Sequence, residues 1–208
     1  ENQAEYGNRI KDNDTPIMQE KFFAHDADRD TLYLGGVSAA DLIKNYGVLI
    51  KDLNPYLPVP LSVIQKNKIQ VHFLGYYLRW DSQENFYYAA RNTGFQANEE
   101  RIESSYSKYS SIDDKIDNFF HYTYLIKFGI GRATYDASQE IRNKKITREE
   151  GVALVRRFDQ EFPNKYFKEF LEYMDITEEK FWELIDAARP EHLWHKENGA
   201  WKLTHQVN

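Results

Sequence analysis

The chain has 208 residues, of which 15% are aromatic, a formal net charge of -6 and no cysteine. That length supports one large domain or two small ones, and the aromatic content excludes disorder over most of it. The charge balance and scattered basic residues exclude a nucleic-acid backbone as the principal partner, and the lack of cysteine excludes disulfides and thiolate metal sites.

No apolar run approaches the roughly 20 residues of a membrane helix, and no signal-peptide pattern opens the chain. A cytoplasmic location without membrane insertion is expected. The opening Glu1-Asn2-Gln3 lacks a methionine and reads as the interior of a longer protein. We expect the chain to be a C-terminal piece.

Residues 1–36 are polar and read as loop, with a short helix near Met18 to Phe23. Ser38 is placed to cap a helix through Tyr46, which Gly47 ends. Pro55, Pro58 and Pro60 break helix and sheet alike, so the division is drawn there. It separates a loop-rich segment, 1–60, from a mainly helical domain, 61–208.

Residues 69–80 mix β-branched and aromatic types and predict a short strand ending near Gly75. Asp81 and Glu84 form a capping-box-like start for a helix to Asn92, with Gly94 as its stop. Residues 95–112 read as loop. Asp113 or Asp114 starts the next helix, whose spacing predicts Ile116, Phe119, Phe120, Tyr124 and Phe128 inward. A helix over 132–143 follows.

Thr147 and Glu150 make a capping box for another helix through Phe162, facing Val152, Val155 and Phe158 inward. Pro163 suits the first turn of a helix to Met174, and Thr177 caps a last one through Arg189. Trp194 and Trp201 flank Gly199 in a tail that folds back on the helices. The fold class expected is mainly α, with at most one or two short strands.

The run Lys127-Phe128-Gly129-Ile130-Gly131-Arg132 joins two helices through a turn with two glycines. The N–H groups of Arg132, Ala133 and Thr134 would open the second helix without intrahelical acceptors. With the helix dipole and a guanidinium beside them, they describe an anion site. The alternative is an ordinary glycine stop between packed helices.

Asp113, Asp114 and Asp117 form an acidic group that can hold magnesium or simply favour a helix N-terminus. His192, His195 and His205 lack the further ligands zinc requires, and His121 reads as a packed residue. No nucleophile elbow, Walker loop or dinucleotide fingerprint appears.

Several segments together resemble one family. They include Glu5-Tyr6-Gly7, Leu74-Gly75-Tyr76-Tyr77, Thr93-Gly94-Phe95, Tyr106-Ser107-Lys108-Tyr109 and Asp113-Asp114-Lys115-Ile116-Asp117. Lys127-Phe128-Gly129, Gly131-Arg132-Ala133, Glu140-Ile141-Arg142 and Trp201-Lys202-Leu203 complete the pattern. The chain resembles the C-terminal half of the N-acetyl sugar amidotransferases of surface-polysaccharide biosynthesis.

The resemblance implies the helical C-terminal part of an α/β PP-loop enzyme of the adenine nucleotide alpha hydrolase type. Such an enzyme activates a sugar N-acetyl oxygen with ATP, releasing pyrophosphate, and ammonia then displaces AMP to leave an acetamidino group. It implies ATP and magnesium as cofactors of the full-length enzyme, with none held by this fragment. The implied partners are a nucleotide-linked N-acetyl sugar and a glutaminase that supplies ammonia. The products feed LPS O-antigen or pseudaminic- and legionaminic-type sugars.

The family's Ser-Gly-Gly-x-Asp-Ser loop is not in these 208 residues, so the fragment alone is expected to be inactive. Lys127 and Arg132 are the catalytic candidates, as fixed cations near developing phosphate charge. Arg142, Asp113, Asp114, Glu1 and Asn2 are the substrate-binding candidates. A non-catalytic helical module that docks the glutaminase is the alternative.

Overall fold

The computed structural model describes residues 15–24 and 31–207. It is mainly α, and it divides into two compact units, Glu1–Trp80 and Asp81–Asn208.

In the first unit, β1 (Tyr33–Leu34) and β2 (Val37–Ser38) form a hairpin across Gly35 and Gly36, both at positive φ. Two consecutive residues at positive φ match the strand twist of a tight hairpin, which is why the turn is Gly-Gly. Ser38 then caps α1 (Ala39–Tyr46), accepting from Asp41 N–H at 3.0 Å, and Gly47 ends it in the left-handed region. Helices α2 (Ile50–Leu53), α3 (Leu61–Asn67) and α4 (Leu74–Tyr77) follow. Leu53, Ile64 and Phe73 are buried here.

The strand expected near Gly75 does not form. Among the described residues only His72 of this stretch pairs, in an antiparallel bridge to Ile17. Phe73 N–H donates to Pro16 O and Met18 N–H to Val71 O, each at 2.9 Å. Pro16 has no N–H to continue the ladder, and the chain turns into α4 instead.

The second unit holds α5 (Ser82–Thr93), α6 (Asp117–Phe128), α7 (Arg132–Arg142), α8 (Arg148–Phe158), α9 (Phe167–Met174) and α10 (Glu178–Ala187). A hairpin of β3 (Trp194–Glu197) and β4 (Ala200–Leu203) closes it. The expected caps are present at Asp81, Thr147 and Thr177, the second as a full capping box. Three boundaries differ, the first being the start of α6 at Asp117 rather than at Asp113 or Asp114. Helix α8 stops at Phe158, and α9 begins only at Phe167, with Pro163 fully buried in the connection.

The buried face of α6 carries Phe119, Tyr122, Leu125 and Ile126, while Phe120, Tyr124 and Phe128 are exposed. This corrects the inward face read from spacing. The helix is apolar nearly all round, so periodicity admits two faces and packing selects one. Phe119 stacks on Phe170 at 4.2 Å, and Tyr122 meets Phe162 edge-on at 5.0 Å. The core joins Tyr122, Leu125 and Ile126 to Phe181, Ile185, Trp194 and Leu203.

Trp194 closes that core: its Nε1–H donates to Ile126 O at 2.7 Å. Helices α7 and α8 pack at Gly151, where a Cβ would lie 2.7 Å from Ile141 Cδ1. Among the described residues, no helix is long and apolar enough to cross a membrane.

Candidate functional site

Between α6 and α7 the two glycines do different things. Gly129 ends α6 at φ 72°, with its N–H donating to Leu125 O at 2.8 Å. Glycine reaches that left-handed conformation without steric cost. Gly131 is extended, at φ -98° and ψ -173°. A Cβ there would lie 2.7 Å from both the backbone O and Oδ1 of Asp159, so the missing side chain is what admits that carboxylate.

The open anion site expected at this turn is therefore filled from within. Asp159 Oδ2 accepts from Gly131 N–H at 3.1 Å and from the Thr134 hydroxyl at 2.8 Å. Its Oδ1 accepts from Thr134 N–H at 2.7 Å. Ala133 N–H donates to Ser104 O at 3.1 Å. The start of α7 does bind an anion, as its dipole favours, but the anion is a side chain from the end of α8. Burial pushes the Asp159 carboxyl above its usual range, and the Thr134 and Gly131 donors pull against that shift.

Arg132 is buried, with its side chain only 10% exposed. Its Nε donates to Asp136 at 3.2 Å, and its Nη1 donates to Ser111 Oγ at 3.0 Å and Asp117 Oδ2 at 3.2 Å. Nη1 also lies 2.6 Å from His121 Nε2. Arginine has no acceptor, so Nε2 must accept, and His121 is neutral with its proton on Nδ1. Burial first, then the Arg132 charge, hold this imidazole below its usual pKa, and Asp117 opposes them.

Asp136 also accepts from Ser105 Oγ at 2.5 Å. Burial raises its carboxyl, while Arg132 and Ser105 lower it. Arg132 is thus the hub of a satisfied internal network.

The other sequence candidates do not converge on that hub. Lys127 is exposed, with Nζ 5.7 Å from the Phe128 ring. Arg142 is exposed in the last turn of α7, ten residues from Arg132, or about 15 Å of helix rise. Glu1 and Asn2 lie outside the described residues. The acidic group separates as well. Asp117 turns to Arg132, whereas Asp113 and Asp114 are exposed. Among the described residues, no three His, Asp or Glu side chains are arranged to hold a metal. At the turn itself, the start of α7 is occupied by Asp159 and the Arg132 guanidinium by Asp117 and Asp136.

Asp113 and Asp114 instead line a cleft of about 910 Å³. Its walls come from residues 98–103, 111–118 and 161–166. Two lining residues connect it to the buried network. Ser111 reaches back to Arg132, and Glu161 takes Arg101 in a bidentate pair with both bonds at 2.6 Å. Glu161 also accepts from Ser104 N–H at 2.8 Å, holding Ser104 at φ 63°. Asp159, Glu161 and Arg101 were not legible as site residues, because their partners lie 25 to 60 positions away in sequence.

Among known families, the model described as LPS biosynthesis protein WbpG-like, C-terminal domain, matches residues 103–208, just over half of the chain. The chain belongs to this WbpG-like family. A search of curated proteins returns no match. The WbpG-like span contains the α6–α7 turn, the Arg132 hub, Asp159 and most of the cleft, including Asp113 and Asp114. Residues 98–102 of the cleft wall precede it. The family places the chain among LPS biosynthesis proteins, in agreement with the resemblance read from its motifs.

Proposed function

We propose that this WbpG-like chain is the substrate-side, C-terminal portion of an ATP-dependent amidotransferase. The enzyme converts a sugar N-acetyl group to an acetamidino group during LPS O-antigen assembly, using ammonia from a glutaminase. The observation that carries this reading is the cleft beside Asp113 and Asp114, within a span that matches an LPS biosynthesis family. Exposed carboxylates and the nearby Asn118 amide suit a ligand rich in hydroxyl groups. In this reading the nucleotide chemistry lies outside these residues, which is supported by Asp159 occupying the helix terminus the sequence offered for phosphate. Arg132 then acts as a positioning residue that holds Ser111 and Asp117.

The test is kinetic, on the full-length enzyme with ammonia and ATP. The double variant Asp113→Asn, Asp114→Asn should raise KM for the nucleotide-linked sugar about tenfold, the loss of one charge-assisted hydrogen bond, with a smaller effect on kcat. Unchanged KM would move the substrate elsewhere. The 208 residues alone should show no ATP–pyrophosphate exchange, and exchange by them would overturn the placement of the ATP site.

A glutaminase-docking role is the second reading, favoured by the aromatic stripe on α6. Phe120, Tyr124 and Phe128 are 55%, 41% and 52% exposed, and the last two rings lie 4.6 Å apart. Replacing Phe120 and Phe128 with alanine should then lower glutamine-dependent turnover and spare ammonia-dependent turnover. Equal loss of both would count against docking.

A further inference from the structure

The α6–α7 network contains a contact that holds in only one protonation state. Arg132 Nη1 lies 2.6 Å from His121 Nε2, 3.2 Å from Asp117 Oδ2 and 3.0 Å from Ser111 Oγ. A guanidinium only donates, so the imidazole must accept through a bare Nε2. A proton on Nε2 would set two donors and two positive charges face to face at that separation, and the contact would break.

A second partner is already within reach. His121 Nε2 lies 3.5 Å from Asp117 Oδ2, the same oxygen that accepts from Arg132. Asp117 serves the guanidinium while the imidazole is neutral and can serve the imidazolium once it is charged. Arg132 keeps Asp136 through Nε in either case. Among the described residues, the charged groups facing the imidazole are Asp117 from its own helix and Arg132, backed by Asp136, from α7. Helix α7 adds the Tyr135 ring at 6.5 Å, and the loop before α6 adds the neutral Ser111 hydroxyl. The His121 side chain is 16% exposed, so protons from solvent can reach it.

The turn that carries Ser111 is what this exchange of partners would move. Ser111 sits at φ 50°, a conformation in which serine is strained, and Arg132 Nη1 donates to its hydroxyl. The other end of the turn is anchored separately, with Ser107 Oγ accepting from Ser110 N–H at 3.3 Å. Loss of the Arg132 bond would leave the strain at Ser111 without the contact that offsets it.

We propose that His121 is a proton-operated latch: neutral, it fixes Arg132 in the pose that holds Ser111, and protonated, it takes Asp117 and releases the Ser111 turn from α7. Ser111 and Asp113 line the cleft, so the shape of that wall would follow the proton, whatever ligand the cleft takes. Burial and Arg132 favour the neutral imidazole against Asp117. The turn is therefore closed at neutral pH and opens as pH falls through a midpoint below about 6.5.

NMR of the 208-residue chain between about pH 7.5 and about pH 5 tests this. At the upper end, the imidazole nitrogen shifts of His121 should place the proton on Nδ1. On acidification the Ser110 and Ser111 amides should shift with the His121 midpoint. Their exchange protection, corrected for intrinsic rate, should fall by up to about tenfold per pH unit, the slope of one proton. The Ile126 amide in the core should stay protected. His121→Gln keeps an acceptor without a titrating nitrogen, so its Ser111 amide should hold the neutral-pH position throughout. Asp117→Asn removes the partner of the imidazolium and should lower the His121 midpoint further.

A His121 proton on Nε2 at neutral pH would overturn the proposal, and that measurement needs no variant. A Ser111 amide that ignores the His121 titration would overturn it too. Equal movement in His121→Gln would assign the effect to carboxylates instead. Loss of Ile126 protection at the same midpoint would make the event global unfolding and not a latch. None of these outcomes bears on the amidotransferase reading.

Discussion

Asp159 grips Thr134 twice, taking its N–H at 2.7 Å and its hydroxyl at 2.8 Å. One carboxylate thereby joins the end of α8 to the first turn of α7. The contact requires Gly131, because any Cβ there would collide with Asp159 at 2.7 Å. Gly131→Ala should destabilise the chain by about 1–3 kcal/mol through overpacking against backbone. Asp159→Ala should cost about 2 kcal/mol, because buried N–H donors lose their acceptor. Urea midpoints of the two variants and of the double variant check this. Additive losses would show that the glycine and the carboxylate do not act as one unit.

Arg132→Ala should destabilise by about 3–5 kcal/mol, since it leaves Asp117 and Asp136 in the protein without their cation. Arg132→Lys should recover only part of that. An ammonium cannot reproduce a planar guanidinium that serves Asp136 through Nε and three groups through Nη1. Denaturation midpoints decide the point. A wild-type midpoint for Arg132→Ala, with turnover lost in the full-length enzyme, would return Arg132 to a direct catalytic role.

His121 gives the stability a slope in mildly acidic solution. Its folded pKa lies below the unfolded value of about 6.5, because burial and Arg132 disfavour the imidazolium. The contribution is present above that value and is lost as pH falls through the folded pKa. His121→Gln keeps an acceptor for Arg132 without a titrating group. Its stability should fall less than wild type between about pH 7.5 and about pH 5.5. Equal slopes would clear His121 of the effect.

Asp136 works in the opposite sense. Burial raises its folded pKa, so its contribution is complete below about 3.9 and is lost as pH rises through the folded value. Asp136→Asn removes that slope, and the pair of variants therefore separates the two titrations in one series of urea melts.

Trp194→Phe should cost about 1–3 kcal/mol, because the Ile126 carbonyl would lose its partner inside the core. The same change removes part of the platform on which Arg189 lies, 4.6 Å from Trp194 and 5.3 Å from Trp201. Thermal unfolding and tryptophan fluorescence together should report one cooperative loss. A silent midpoint would show that the β3–β4 hairpin is not part of the core unit.

Local signals in the sequence determined the helices that begin and end on their own chemistry. Ser38, Asp81, Thr147 and Thr177 cap where their side chains accept a nearby N–H, and Gly47, Gly94 and Gly129 end helices in the left-handed region. Such interactions span three or four residues, so they can be read along the chain. The hairpins at Gly35-Gly36 and Asn198-Gly199 are not legible in the same way: the sequence around the first reads as loop and around the second as a tail, although both turns carry the positive-φ residues a tight hairpin needs.

Only the tertiary structure decided which face of α6 is buried, that Asp159 fills the α7 terminus, and that Arg132 looks inward. Each depends on a partner 15 or more residues away, as in Arg132 with Asp117 or Asp159 with Thr134. A guanidinium beside a glycine turn has the same local sequence whether it awaits a phosphate or already holds two carboxylates. What settles it is the charge that packing brings within hydrogen-bond distance, and spacing along the chain does not encode that.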